Sequence, residues 1–119
     1  MLRIVVERSS DTALLRCIGR IVAGDEARAL RDSVMCQADK RVVVLDLSEV
    51  DVADAAGLGV LVFTQTLASL VGFNLKVLNP SERVRELLAI TGLDSVVEIS
   101  YSEEPGTHFN YAIAAASHK

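Results

Sequence analysis

With 119 residues, 50% hydrophobic content and a formal net charge of -4, the chain is sized for one globular domain with its own core, and a second domain is not expected. Its 12 Lys and Arg are scattered among 16 Asp and Glu, so the basic stripe that a nucleic-acid surface requires is missing. No apolar run reaches the roughly 18 residues of a bilayer span, and Met1-Leu2-Arg3 leads straight into a strand pattern, so neither a membrane helix nor a signal peptide is expected and a cytoplasmic setting is.

Leu2 to Arg8 alternates Leu2, Ile4 and Val6 against Arg3, Val5 and Glu7, and Ser9-Ser10-Asp11 turns the chain into a second run from Thr12 to Gly19. The pattern predicts a β-hairpin. After Asp25, Leu30, Val34 and Ala38 recur at helical spacing with Arg28, Arg31, Asp32 and Gln37 between them, which predicts an amphipathic helix on a sheet, ended at Ala38-Asp39-Lys40. Val42 to Leu47 is a β-branched run suited to a strand covered on both faces, with Asp46 and Ser48 read as its exit.

A second helix is expected from Asp54 or Ala55. Its Leu58, Val60, Leu61, Val62, Phe63, Leu67, Leu70 and Val71 cover far more than one face, so burial in two directions is expected, with Leu58 exposed at the start. Gly72 fits the residue just past its end, and Phe73 to Leu78 reads as the next strand. Pro80-Ser81-Glu82 opens a third helix with Val84, Leu87, Leu88 and Thr91 inward and Gly92 as its stop, before a short strand at Val96 to Ile99. Residues 101–119 read as either a last short helix or a docked tail, following a core of about 2–100. A strand, helix, strand alternation of this kind predicts an α/β fold, a mixed sheet packed with helices.

Candidate chemistry is sparse. Cys17 and Cys36 have no second cysteine nearby and read as two reduced, buried thiols. His108 and His118 lie far from any ligand cluster, so no metal site is expected. No Ser-His-Asp or Cys-His set can be assembled. Asp46 and Asp54 stand near one loop, but nothing drives their protonation apart as acid-base work requires. Gly57 and Gly59 lack the further glycine and lysine of a phosphate cradle. No enzyme activity and no cofactor are expected.

Asp54, Ala55, Ala56, Gly57, Leu58 and Gly59 form the candidate site. Asp54 is a favoured capping residue, and capping and partner contact are compatible roles for it. In order and spacing, Val43 to Ser48, Asp54 to Gly59, Leu75 to Leu78, Arg83 to Leu88 and Gly92-Leu93 resemble a STAS domain, the fold of bacterial anti-sigma factor antagonists, over nearly the whole chain. The resemblance implies signal transduction and transcription regulation through protein-protein contact. The family loop carries a serine, just before the glycine, that is phosphorylated by a kinase that is itself the anti-sigma factor. Here that position is Ala56, preceded by Ala55. The resemblance therefore implies a partner such as an anti-sigma factor or related histidine-kinase-like ATPase, bound without phosphorylation at that position. The alternative is a ligand-sensing or ABC-transporter-accessory STAS domain. A homodimer is left open.

Overall fold

The computed structural model describes residues 1–102. Five strands form one sheet in the order β1-β2-β3-β4-β5: β1 Leu2–Arg8, β2 Thr12–Ile21, β3 Val42–Ala53, β4 Asn74–Leu78 and β5 Glu98–Ser100. β1 and β2 pair antiparallel as the expected hairpin, and β2 through β5 run parallel. Three helices, α1 Asp25–Met35, α2 Ala55–Val71 and α3 Glu82–Thr91, provide the crossovers. Each crossover steps to the next strand in the same direction, and right-handed connections of that kind set all three helices on one face. Their buried residues Leu30, Val34, Leu58, Leu61, Val84 and Leu88 join Ala13, Leu15, Val43, Leu45, Leu75 and Val77 in a single core. The opposite face holds a smaller cluster of Leu14, Val42, Val44 and Leu78, so β3 is buried on both faces as its unbroken apolar run predicts.

Several expectations need correction. β3 does not end at Asp46 and Ser48 but continues to Ala53. Arg16 pairs with Asp46 while Ile18 pairs with Glu49, and Gly19 pairs with Val50 while Arg20 pairs with Val52, so β3 carries an extra residue at two places. At the first, the Asp46 carboxylate accepts from the Ser48 amide at 3.0 Å and from the Ser48 hydroxyl at 2.7 Å, a local turn inside a strand that keeps pairing.

α2 is buried in one direction only: Gly57, Leu58, Leu61, Thr64 and Ala68 face the core, while Phe63, Leu70 and Val71 are exposed. In α3, Val84 and Leu88 are buried, Leu87 is half-buried and Thr91 is exposed, its hydroxyl donating to the Leu87 carbonyl at 2.7 Å. α1 stops at Met35, leaving Ala38 in the turn beyond. Cys17 is buried as expected, but Cys36 is exposed, because it caps the end of α1 rather than facing the sheet. The final strand begins at Glu98, after a short 3-10 turn at Leu93–Ser95. The expected helix or tail over residues 101–119 falls, beyond Ser102, outside the described residues.

Candidate functional site

The site stands where β3 hands over to α2. Asp54 is extended (φ -126°, ψ 168°) and caps the helix, its carboxylate accepting from the Gly57 amide at 2.6 Å. That contact satisfies one of the free donors of the first turn. The Asp54 amide in turn donates to the Ile21 carbonyl at 3.3 Å, so the end of β2 fixes where the helix begins.

Gly57 explains why the turn is built from small residues. A Cβ there would stand 2.4 Å from the Ile21 carbonyl oxygen and 2.7 Å from the Val22 Cα, so only glycine lets the first turn of α2 lie against the end of β2. Gly59 differs: a Cβ there meets no heavy atom within 4 Å. Glycine is thus demanded by the protein's own backbone at one position and by nothing in the described structure at the other.

The six expected site residues separate into two groups. Asp54, Ala55 and Ala56 are exposed and Gly59 is half-buried. Gly57 is buried and Leu58 is 0% exposed, packed in the core. This corrects the expectation of an exposed leucine beside the loop, since Leu58 points into the sheet one turn below the cap. What reaches the surface is the carboxylate of Asp54, two alanine methyls and the bare backbone at Gly59. The first turn of α2 contains no acidic residue, so the positive end of the helix dipole is offset only by the capping carboxylate.

Asp46 does not belong to this site. Its partner Arg16 stands five residues before Ile21, the partner of Ala53, a displacement of about 17 Å at ordinary strand rise, and its carboxylate is occupied by Ser48. The hydroxyls nearest in sequence to the loop are likewise engaged or hidden. Ser48 donates to Asp46, Thr66 donates back to the Val62 carbonyl at 3.1 Å, and Thr64 is buried. Among the described residues no cluster of His, Cys, Asp and Glu is placed to hold a metal ion, and no helix is long and apolar enough to cross a membrane.

The surface that sequence reasoning missed is the outer side of α2. It starts at Ala56 and Gly59 and continues to Phe63 and Leu70, which are 53% and 78% exposed. The signal for it was present in the apolar excess of the helix, but sequence alone does not say that the excess lacks a covering element.

Known proteins resemble this chain in sequence and in fold. The chain is 41% identical over 69 residues to the anti-sigma-B factor antagonist of Bacillus subtilis (strain 168), an aligned stretch that spans 58% of this chain and only 61% of that protein. It is 31% identical over 96 residues, 79% of this chain and 83% of the relative, to BtrV of Bordetella bronchiseptica, which is named as an anti-sigma factor antagonist. The fold superposes on the unphosphorylated form of the anti-sigma factor antagonist SpoIIAA with a TM-score of 0.68, covering 91% of this chain and 96% of that one at 17% identity. Residues 3–105, most of the chain and all but the first residue of the sheet with its three helices, match the STAS domain, and the chain belongs to the STAS domain family.

Proposed function

We propose that the chain is a non-enzymatic protein-binding module of the anti-sigma factor antagonist kind, which docks a regulatory partner at the start of α2 and does so without phosphorylation there. The observation that carries this reading is Ala56, exposed in the first turn of a helix capped by Asp54. Ala56 stands where the family resemblance places the phosphate-accepting serine. The names of the relatives support an anti-sigma factor as the class of partner, and the family resemblance extends it to a related histidine-kinase-like ATPase.

The physical consequence is a missing brake. A dianionic phosphate at position 56 would add bulk and charge to the docking surface beside Asp54, opposing association by repulsion and by desolvation. A methyl group accepts no phosphate. The loop therefore stays in its small, unmodified form at all times, and control of binding falls to partner availability or to some other property of the chain. The setting that follows is cytoplasmic, with the partner.

Two experiments test the reading. Affinity capture from the source cell lysate, followed by mass spectrometry, is expected to recover an ATPase of the histidine-kinase-like class; recovery of a transporter subunit instead would favour the ligand-sensing or transporter-accessory alternative. Incubation of that ATPase with ATP is expected to leave the parent unmodified and to phosphorylate Ala56→Ser at position 56. Stoichiometric phosphate on Ser48, Thr64 or Thr66 of the parent would contradict constitutive non-modification.

A further inference from the structure

The sheet has a second face, turned away from the three helices. Register sets Leu14 beside Val44 and Val44 beside Lys76, with Val42 and Leu78 two residues along their strands on either side. Leu14, Val42, Val44 and Leu78 keep only 1–4% of their surface exposed, and the Lys76 side chain, whose ammonium pairs with Glu98 at 3.2 Å, keeps 5%. Side chains on an open sheet face stay in contact with water on that side, so burial this complete requires a further layer over them. Among the described residues no element supplies it: the buried faces of the three helices, together with Leu93 and Val97, all join the main core.

We propose that residues 107–117 form an amphipathic helix that lies over this second face and closes it. The exit of the chain points there. Among the described residues β5 is the last strand of the sheet, so the crossover handedness that sets α1, α2 and α3 on one face does not govern what comes after it. The Ser102 amide donates to the Asn79 side-chain oxygen at 2.8 Å, and the Asn79 amide donates to the Ser100 carbonyl at 2.9 Å. These bonds hold the departing chain next to Leu78, a member of the buried cluster, and Pro105-Gly106 then supplies a turn signal.

Periodicity and length select the same segment. Phe109, Ala112, Ile113 and Ala116 follow the i, i+3, i+4, i+7 spacing of one helix face, while Asn110, Ala114, Ser117 and His118 fall on the other sides. No Asp, Glu, Lys or Arg occurs between Thr107 and Ser117, so covering the cluster with this segment buries no unpaired ion. Leu78 stands level with Asp46, four residues beyond Val42, so the apolar strip is about 13 Å long. A helix from Phe109 to Ala116 runs about 10 Å. The four residues before Thr107 span up to about 13 Å, enough to carry the chain from β5 to Val44, two strand spacings of about 4.8 Å inward. The result is a domain of three layers, with residues 107–117 on the side of the sheet opposite α2 and the proposed partner site.

Methyl NMR of the full chain without any partner tests the proposal. The Ile113 δ-methyl group is expected to show nuclear Overhauser contacts to methyl groups of Leu14, Val44 and Leu78. A matched pair of substitutions then separates the two sides of the segment. Ala112→Asp, which sets a carboxylate against the cluster, is expected to lose these contacts and lower the urea midpoint; Ala114→Asp, the same change on the outward side, is expected to keep the contacts and a parent-like midpoint. Absence of the Ile113 contacts in the parent, or equal effects of the two substitutions, would overturn the proposal. So would contacts that arise only between differently labelled chains in a mixed sample, which would give the face to a second copy. The contact measurement is made on the parent and decides the matter even where Ala112→Asp fails to fold. No partner is present in any of these samples, so failure of partner capture has no bearing on the outcome.

Discussion

Gly57 and Gly59 sit two positions apart in α2 and answer to different constraints. Gly57→Ala forces a methyl against the Ile21 carbonyl and the Val22 Cα, which backbone cannot yield cheaply, and overpacking of this kind costs about 1–3 kcal/mol. Gly59→Ala meets open space and removes a flexible residue from a helix, so a gain of about 0.5–1 kcal/mol is expected. Urea unfolding of the two variants beside the parent is expected to move the midpoint in opposite directions; equal shifts would show that the start of α2 does not rest on the end of β2. Asp54→Ala is expected to cost about 0.5–2 kcal/mol through the lost cap.

The two thiols separate as sharply. Burial, aided by the neighbouring Asp46 charge, pushes Cys17 up to about 12 from an ordinary 9.0, whereas Cys36 is exposed. At pH 8 a thiol reagent is expected to label Cys36 at once and Cys17 only on unfolding. Between pH 9 and 12 the folded chain keeps the Cys17 proton that the unfolded chain releases. The folded state then binds more protons, so stability falls as pH rises through that window. Cys17→Ala is expected to flatten this decline; an unchanged slope would place its cause elsewhere.

At the scale of elements, Leu61 and Leu88 fix two helices to the sheet, both buried in the main core. Either Leu→Ala change is expected to cost about 2–5 kcal/mol, while Leu70→Ser on the outer face of α2 is expected to stay within about 0.5 kcal/mol of the parent. Urea midpoints close to the parent for Leu61→Ala would mean that the inward face of α2 is misassigned. The hairpin, the Asp54 cap, the glycine stop at Gly72 and the Ser81 opening of α3 were legible in sequence because each is set by residues close in the chain. Gly72 takes φ 115°, and Ser81 accepts from the Val84 amide at 3.3 Å. The length of β3 was not legible. Asp46 and Ser48 carry a turn signature, and only the pairing of Ile18 through Ile21 with Glu49 through Ala53 shows that the strand runs on. The burial of α2 was overestimated for a related reason: apolar content records what a helix wants covered, not what lies over it.

For the molecule as a whole, the central claim is that Ala56 lies within a partner-docking surface kept permanently unmodified. Titration calorimetry of the parent and of Ala56→Glu against the captured ATPase tests it most directly. The fold is expected to survive, since an anion near a helix N-terminus is favoured by about 0.3–1 kcal/mol. Affinity is expected to fall at least about 100-fold, because a carboxylate buried unpaired at an interface costs several kcal/mol and each 1.4 kcal/mol is tenfold. Equal affinities for parent and variant, with both folded by circular dichroism, would contradict the claim and place the interface away from the start of α2.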